Sequence, residues 1–374
     1  MPPALQRAAF NAYRHYVLFR DRIDLGRRRP FRTYSGRHVV VAGYFGSKTG
    51  LARAAELVAL TLEQRGVKVT RVDIFKGGKN PVAGALSPAR CSPDVSDVVF
   101  VSNPGQLALS NFDRDWLLDR TLIGHWIWEL EAAPKYWEKA SSSFDEIWGA
   151  TDLLVDVIKR RLPGFDRPIR VLPYAIHQSP QIAVSKDRRE AVRRREGFSD
   201  QTFVAGYSFA IGSNYLRKNP EGAIEAFRRA FPSEDALLLL RSVDLDQWLG
   251  YRRRLFAAAN NDPRIRIYGG TAKIGINDFY AALDAYVSPS RAEGYGLNLV
   301  EASQSGLPVI TGGWRIPDEI LSLPGVIDIG FELEPLPHDP QGHYLNLEDA
   351  VWSVPDVDEM AESLRRLYRR HQGL

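Results

Sequence analysis

The chain has one cysteine, Cys91, among its 374 residues. A single thiol excludes an internal disulfide and any cysteine-built zinc cage. It fits a reducing compartment, so the expected location is cytoplasmic. No run of 18 consecutive apolar residues occurs, which argues against a membrane-spanning helix. No signal peptide is expected either, because Arg7, Arg14, Arg20 and Arg22 interrupt any apolar stretch near the N-terminus. A dominant charge is missing too. With 49 Lys and Arg against 45 Asp and Glu, the molecule as a whole is no nucleic-acid binder by electrostatics. What is present is ordinary globular usage, 44% hydrophobic and 25% charged, in a length that suits two domains.

Short apolar runs alternate with amphipathic stretches, as in parallel strands joined by crossover helices, and the predicted class is α/β. Strands are predicted at 38–43, 67–74, 97–102, 121–128 and 146–150 in the first half. The second half repeats the pattern at 202–208, 236–241, 264–268, 285–288 and 307–311. The clearest helix runs over 51–65, with Leu51, Ala55, Val58, Ala59 and Leu62 along one side. Between the halves, a proline-containing stretch ends in the charge run KDRREAVRRRE, which reads as a connection leading into a solvated helix. The resulting division is a basic N-terminal segment (1–36), two Rossmann-like doubly wound domains (37–176 and 177–354), and a C-terminal helix (355–374) able to pack back on the N-terminal domain.

Two glycine-rich turns follow predicted strands. The first, GYFGSKTG at 43–50, carries Gly46, Thr49 and Gly50 into a helix. It can offer N–H groups to a phosphate or sugar, or serve only as a tight turn, and its spacing is not that of the dinucleotide fingerprint. The second, RAEGYGLNLVEASQSGLPVI at 291–310, leaves the carboxyl end of a strand, where open α/β sheets bind ligands. Gly294 and Gly296 let the backbone approach an anion there, and Glu293 and Glu301 flank the turn. Carboxylates beside an anion site suit a ligand that also carries hydroxyls, as a sugar nucleotide does. The cations lie upstream: Arg217 and Lys218 stand just before a helix opened by Asn219 and Pro220. Two cations at a helix N-terminus oppose its dipole, which calls for a compensating anion such as a diphosphate, with a solvated basic turn as the alternative.

The run E-G-Y-G-L-N-L-V-E, Glu293 to Glu301, resembles the E-x7-E signature of the family 4 retaining glycosyltransferases of GT-B fold. S-N-Y-L-R-K-N-P, Ser213 to Pro220, is similar to the R-K-N-P element of one branch, and GHWIWELEAAPKYW at 124–137 resembles that branch's G-x-W-x-W-E-L segment. The resemblance implies two Rossmann-like domains facing across a cleft, an acceptor domain followed by a donor-nucleotide domain. It implies that Arg217 and Lys218 hold the donor diphosphate, that Glu301 binds the ribose hydroxyls, and that Glu293 lies near the donor sugar. Ser213, Gly46, Thr49 and Gly50 join the donor site by the same resemblance. The backbone of Gly294, Tyr295, Gly296, Leu297 and Asn298 would serve the sugar hydroxyls and the distal phosphate. His125 or Glu129 would face the donor sugar or the acceptor. The sequence departs from many relatives at Ala210, where they carry an acidic residue, and at His125, where they carry tyrosine. The implied activity is retaining, metal-independent transfer of a sugar from a nucleotide-diphosphate sugar to a carbohydrate or lipid-linked acceptor, in polysaccharide or surface-glycan synthesis. The donor is a substrate, and no cofactor is implied. The rival reading is a catalytically silent GT-B subunit that supports a partner transferase. Retention of Arg217, Lys218, Glu293 and Glu301 together counts against it.

Strand alternation places His125, Ile127 and Glu129 on one face of GHWIWELE and Trp126 and Trp128 on the other, so the tryptophans are expected in the core. His125 also reads as a satisfied polar residue at a strand end. The D-x-D strings at 113–115 and 244–246 fall near helix starts, where aspartate caps, and no metal site is expected. Residues 1–37 hold nine arginines against Asp21 and Asp24. Leu5, Ala9, Phe10, Tyr13 and Val17 share one helical side there, which suits an interfacial helix on the anionic inner face of the cytoplasmic membrane, with an arm packed on the domain as the alternative. Deleting residues 1–30 is expected to weaken co-sedimentation with anionic vesicles; unchanged sedimentation would assign the segment to the packed arm.

Overall fold

The computed structural model describes residues 30–47, 49–74, 92, 94–104, 112, 114–176, 184–269, 273–344, 347 and 349–374. Cys91, Asp113, His177 and residues 1–29, which include the stretch expected to lie on a membrane, are outside them. The chain divides into two compact units, Met1–Ser179 with Tyr344–Ala350, and Pro180–His343 with Val351–Leu374.

The first unit is built on β1 (His38–Gly43), α1 (Gly50–Gln64), β2 (Lys68–Asp73), β3 (Asp97–Ser102), β4 (Thr121–Trp126), β5 (Glu146–Gly149), α2 (Asp152–Arg161) and β6 (Ile169–Val171). Its six strands are all parallel, in the order β2-β1-β3-β4-β5-β6. The central strands HVVVAG, DVVFVS, TLIGHW and EIWG are buried along their whole length. KVTRVD and IRV, interrupted by charge, take the two edges, as sheets with both faces covered require. Gly43 has a steric reason: a Cβ there would come within 2.4 Å of the Ala55 Cβ on α1. Trp126 and Trp128 are both buried and meet the Trp137 ring edge-on, at 4.9 and 5.5 Å between centroids, so the tryptophans are core.

The second unit contains α3 (Lys186–Glu196), β7 (Phe203–Phe209), α4 (Tyr215–Lys218), α5 (Pro220–Ala230), β8 (Ala236–Ser242), β9 (Ile265–Tyr268), α6 (Ile276–Ala282), β10 (Ala285–Ser288), α7 (Leu297–Gln304), β11 (Val309–Gly312) and β12 (Val326–Ile329). An antiparallel ribbon of β13 (Phe331–Pro335) and β14 (Val351–Pro355) and the helix α8 (Val357–Gln372) complete it. The main sheet is again six parallel strands, ordered β12-β11-β10-β7-β8-β9. Chain order therefore runs outward from β7 through β8 to β9, then returns to the other side of β7 for β10, β11 and β12. The reversal between β7 and β10 opens a crevice at their carboxyl ends.

Strands β6, β12, β13 and β14 escape the sequence patterns. β6 has three residues, and every residue of β13 is exposed, so neither presents an apolar face. The C-terminal helix packs within the second unit rather than back on the first. Met360, Ala361 and Leu364 are buried, Arg365 donates to the Arg229 carbonyl at 2.8 Å, and the Tyr368 ring lies 5.4 Å from that of Phe231. The segment near the C-terminus that belongs to the first unit is 344–350. Among the described residues, no helix is long and apolar enough to cross a membrane.

The charge run is indeed a helix, α3, but one of its arginines is deeply buried rather than solvated. Arg193, 1% exposed, donates to the carbonyls of Ala282 at 2.9 Å and Ser199 at 2.7 Å and pairs with Asp284 at 3.2 Å. Asp284 also accepts from the Val204 amide at 2.8 Å and pairs with Arg189. One carboxylate thus joins α3 to the amino ends of β7 and β10. Removing one partner of such a buried pair costs about 3–5 kcal/mol. Arg193→Ala should lower the urea midpoint of the second unit accordingly, and a loss under about 1 kcal/mol, the scale of an exposed pair, would refute this role.

Candidate active site

Two loops meet at the β7/β10 crevice. After β7 the chain makes a short turn to Asn214, whose φ of 76° is left-handed, then the single turn α4, then Asn219 at φ 47°. Asparagine tolerates this region better than most residues because its short polar side chain bonds locally. The Asn214 carboxamide accepts the Arg217 amide at 3.0 Å, and Asn219 accepts the Gly222 amide at 3.3 Å, capping α5. Pro220 then occupies the first helical position. The R-K-N-P string is therefore a tight corner that ends one helical turn and starts the next helix.

That corner is bound to the loop after β10. Arg217, 6% exposed, donates to the Ser213 carbonyl at 2.6 Å and the Ala292 carbonyl at 2.6 Å, stapling the two loops together. Its own carbonyl accepts the Arg291 amide at 2.8 Å. Lys218 places Nζ 2.5 Å from Glu293 Oε1, and the Arg217 guanidinium stands 3.7 Å from Glu293 Oε2. Tyr207 donates to the Lys218 carbonyl at 3.0 Å from below. Burial pushes the Glu293 carboxyl up, but Lys218 and Arg217 together outweigh it and hold the group below its ordinary value.

Next to this cluster, α7 begins at Gly296, whose φ of 85° demands glycine. No side chain caps the helix and its first turn carries no acidic residue. Its leading N–H groups and dipole end are thus set for an anion. Tyr295 turns its hydroxyl to Glu319 at 2.9 Å, and Asn298 donates its side chain to the Ser208 carbonyl at 2.7 Å, so both side chains serve the fold. Glu301 accepts from the fully buried Tyr280 hydroxyl at 3.2 Å. Burial, with Tyr286 and Glu301 adding to it, raises the Tyr280 pKa well above the ordinary range, which keeps this donor protonated.

The structure therefore brings together Ser213, Arg217, Lys218, Glu293, Gly294 to Asn298, and Glu301. Gly46, Thr49, Gly50, His125 and Glu129 lie in the first unit, all at or beyond the carboxyl ends of β1 and β4. Thr49 stands at the N-cap of α1 but its hydroxyl meets Ser47 at 2.7 Å instead of capping, and Gly50 is exposed. His125 is fully buried and stacks on Tyr174 at 5.6 Å, with no hydrogen bond of good geometry to either ring nitrogen among the described residues. Burial lowers its pKa to about 4, so the imidazole is neutral at pH 7. Glu129 accepts from the Tyr344 hydroxyl. Asp244 accepts the amides of Ile211 and Gly212 at 2.8 and 2.7 Å, while Asp246 pairs with Arg252 at 3.1 Å. The D-x-D string at 244–246 thus splits between two structural tasks. No group of three or more His, Cys, Asp or Glu suited to a metal occurs among the described residues.

Sequence reading missed Tyr280, Tyr207 and Arg241, the last of which donates to the Ser208 hydroxyl and the Ile274 carbonyl, both at 3.1 Å. Arg241 had a signal, a charged residue near the carboxyl end of the apolar run ALLLLRS. The tyrosines had none, since buried tyrosines look alike until their hydroxyl partners are known.

Two parallel six-stranded sheets with covering helices define the GT-B class, and comparison with known proteins agrees. The structure of WaaG, a glycosyltransferase involved in lipopolysaccharide biosynthesis, is similar with a TM-score of 0.55 and 16% identity, over 89% of this chain and 93% of that one. Anabaena HepE in complex with UDP-glucose is similar with a TM-score of 0.55 and 12% identity, over 89% and 95%. By sequence, the family described as Glycosyl transferases group 1 matches residues 190–322, a stretch that lies within the second unit. Over 154 residues the chain is 29% identical to the O-antigen chain mannosyltransferase B of Escherichia coli, a match covering 39% of this chain and 38% of that protein's length.

Because the folded-state pKa of Glu293 is depressed, its ion pairs stabilise the protein above the ordinary carboxylate range and fade as pH falls through the lower, folded value. Glu293→Gln should therefore lower the melting temperature at pH 7, with the difference from wild type shrinking on acidification below about pH 4.5. A difference independent of pH would overturn the assignment.

Proposed function

We propose that the protein is a retaining glycosyltransferase of the family 4 kind, whose second unit binds a nucleotide-diphosphate sugar at the β7/β10 crevice. The observation that carries this reading is Lys218, held on Glu293 beside the uncapped start of α7. Breaking the bond from the anomeric carbon to the diphosphate oxygen leaves negative charge on the departing phosphate. A fixed ammonium and helix N–H groups aimed there lower that barrier without needing to reorganise. They supply the positive charge a divalent metal would otherwise provide, so the transfer is proposed to be metal-independent, with no cofactor beyond the donor substrate.

In this reading Lys218 contacts the diphosphate, and Arg217 frames the site by fixing both loops and adding its charge. Glu301, oriented by Tyr280, receives the ribose hydroxyls, and Glu293 lies near the donor sugar. The backbone of Gly294 to Asn298 serves the sugar and distal phosphate. Retention follows if a phosphate oxygen of the leaving group takes the acceptor proton on the face where the new glycosidic bond forms. His125 and Glu129 are the proposed contributions of the first unit to sugar or acceptor. The acceptor is proposed to be a carbohydrate or lipid-linked glycan of a surface polysaccharide, which fits a cytoplasmic enzyme resting on an anionic membrane. The lipopolysaccharide and O-antigen roles named for WaaG and the mannosyltransferase support that class of acceptor.

A thermal-shift screen of the purified protein against GDP, UDP, ADP, CMP and dTDP with their sugar conjugates, with and without magnesium, tests the donor site. A ligand at about 100 times its Kd adds about 2.7 kcal/mol of stability. A selective, metal-independent rise in Tm that disappears in Lys218→Ala is the expected result. The same variant should lose roughly 10²–10³ in turnover, as for removal of one preorganised donor. No shift with any nucleotide would instead favour a silent subunit.

A further inference from the structure

The polar groups at the carboxyl edge of the second sheet fall into two sets. Glu293 is paired with Lys218 and Arg217. Glu301 belongs to a second set: it accepts from Tyr280, and it lies in electrostatic range of Arg241, the penultimate residue of β8. Arg241 has no part in the function proposed above, yet it is costly to place. Its guanidinium is half-buried, and burial lowers its pKa, opposed by Tyr280, Tyr286 and Glu301. Two contacts fix its plane: Nε donates to the Ile274 carbonyl at 3.1 Å, and one Nη donates to the Ser208 hydroxyl at 3.1 Å. Among the described residues, no partner consumes the remaining Nη.

Strand order gives this placement a meaning. With the diphosphate between β10 and β7, the nucleoside must extend along the sheet edge toward β8 or toward β11. Neighbouring strands lie about 5 Å apart, so a nucleoside reaches over one or two of them. Glu301 and Tyr280 both lie in electrostatic range of Arg241, which puts the ribose partner on the side of β8, where the Ile274 backbone also stands. A guanidinium carries donors only, in a fixed fork. Guanine offers it the adjacent acceptors O6 and N7, and uracil offers carbonyl oxygens. Adenine keeps the N7 acceptor but sets an exocyclic amine, itself a donor, where guanine has O6, so it cannot take both arms of the fork.

We propose that Arg241 selects the nucleobase of the donor, accepting a base with exposed carbonyl oxygen, guanine or uracil, and rejecting adenine. This inference rests on the glycosyltransferase reading and deepens its donor site. The rejection of adenine is a mismatch of donors, which discriminates more sharply than a lost contact.

Binding of GDP, UDP, ADP and inorganic diphosphate is measured by calorimetry on the full chain, wild type against Arg241→Met and Arg241→Gln. Wild type should bind GDP or UDP at least tenfold more tightly than ADP, and comparing those two identifies the base. Arg241→Met should lose that preference. Arg241→Gln, whose amide also offers an acceptor, should gain affinity for ADP. Inorganic diphosphate should bind all three proteins alike, and the Tm of the ligand-free variants reads any folding defect separately. Equal binding of ADP by wild type, an unchanged base preference in both variants, or a parallel loss of inorganic diphosphate binding would each overturn the assignment. If wild type binds inorganic diphosphate but no nucleotide, or binds nothing, the donor-site reading falls along with it.

Discussion

The reversal of strand order between β7 and β10 is the constraint on which the second unit depends. Right-handed crossovers send the chain from β7 out to β9 over one face of the sheet and from β10 out to β12 over the other. The loops after β7 and β10 consequently diverge at the carboxyl edge, and nothing in the sheet fills the space between them. Every group in the candidate site is a response to that gap. The R-K-N-P corner closes one side, the glycine turn before α7 closes the other, and Arg217 binds the two by donating to a carbonyl from each.

Charge in this region is arranged so that buried groups compensate one another. An unpaired Lys218 at its depth would be costly, and pairing with Glu293 offsets that cost. The same pairing leaves a carboxylate beside the proposed phosphate site, a tension that suits a ligand with an anionic part and a hydroxyl-bearing part. The Arg193–Asp284 pair at the opposite, amino-terminal edge of the sheet faces no such opening. It holds α3, β7 and β10 in place, and so fixes from behind the two strands whose far ends form the crevice.

Much of the fold was legible because its central strands are unbroken apolar runs. His38–Gly43, Asp97–Ser102 and Ala285–Ser288 read off the sequence with the boundaries they have in the structure. Edge elements were not legible: β6 and β12 are short, and β13 is exposed throughout, so tertiary pairing rather than pattern makes them strands. The helical nature of KDRREAVRRRE was plain from its composition, but burial of Arg193 was not, because the carbonyls and carboxylate that receive it lie up to 91 residues away.

The sequence by itself determined the α/β class, the two-domain division and the local chemistry of each turn. These depend on periodicity, on glycine and proline, and on neighbours a few residues apart. Only the tertiary structure decided that Lys218 meets Glu293 across 75 positions, that Arg217 spends its donors on backbone carbonyls, and that Arg241 stands with Glu301 at the other end of the crevice. Such encounters are set by the order in which strands add to the sheet. That order is a property of the packed layers, and no local stretch of residues encodes it.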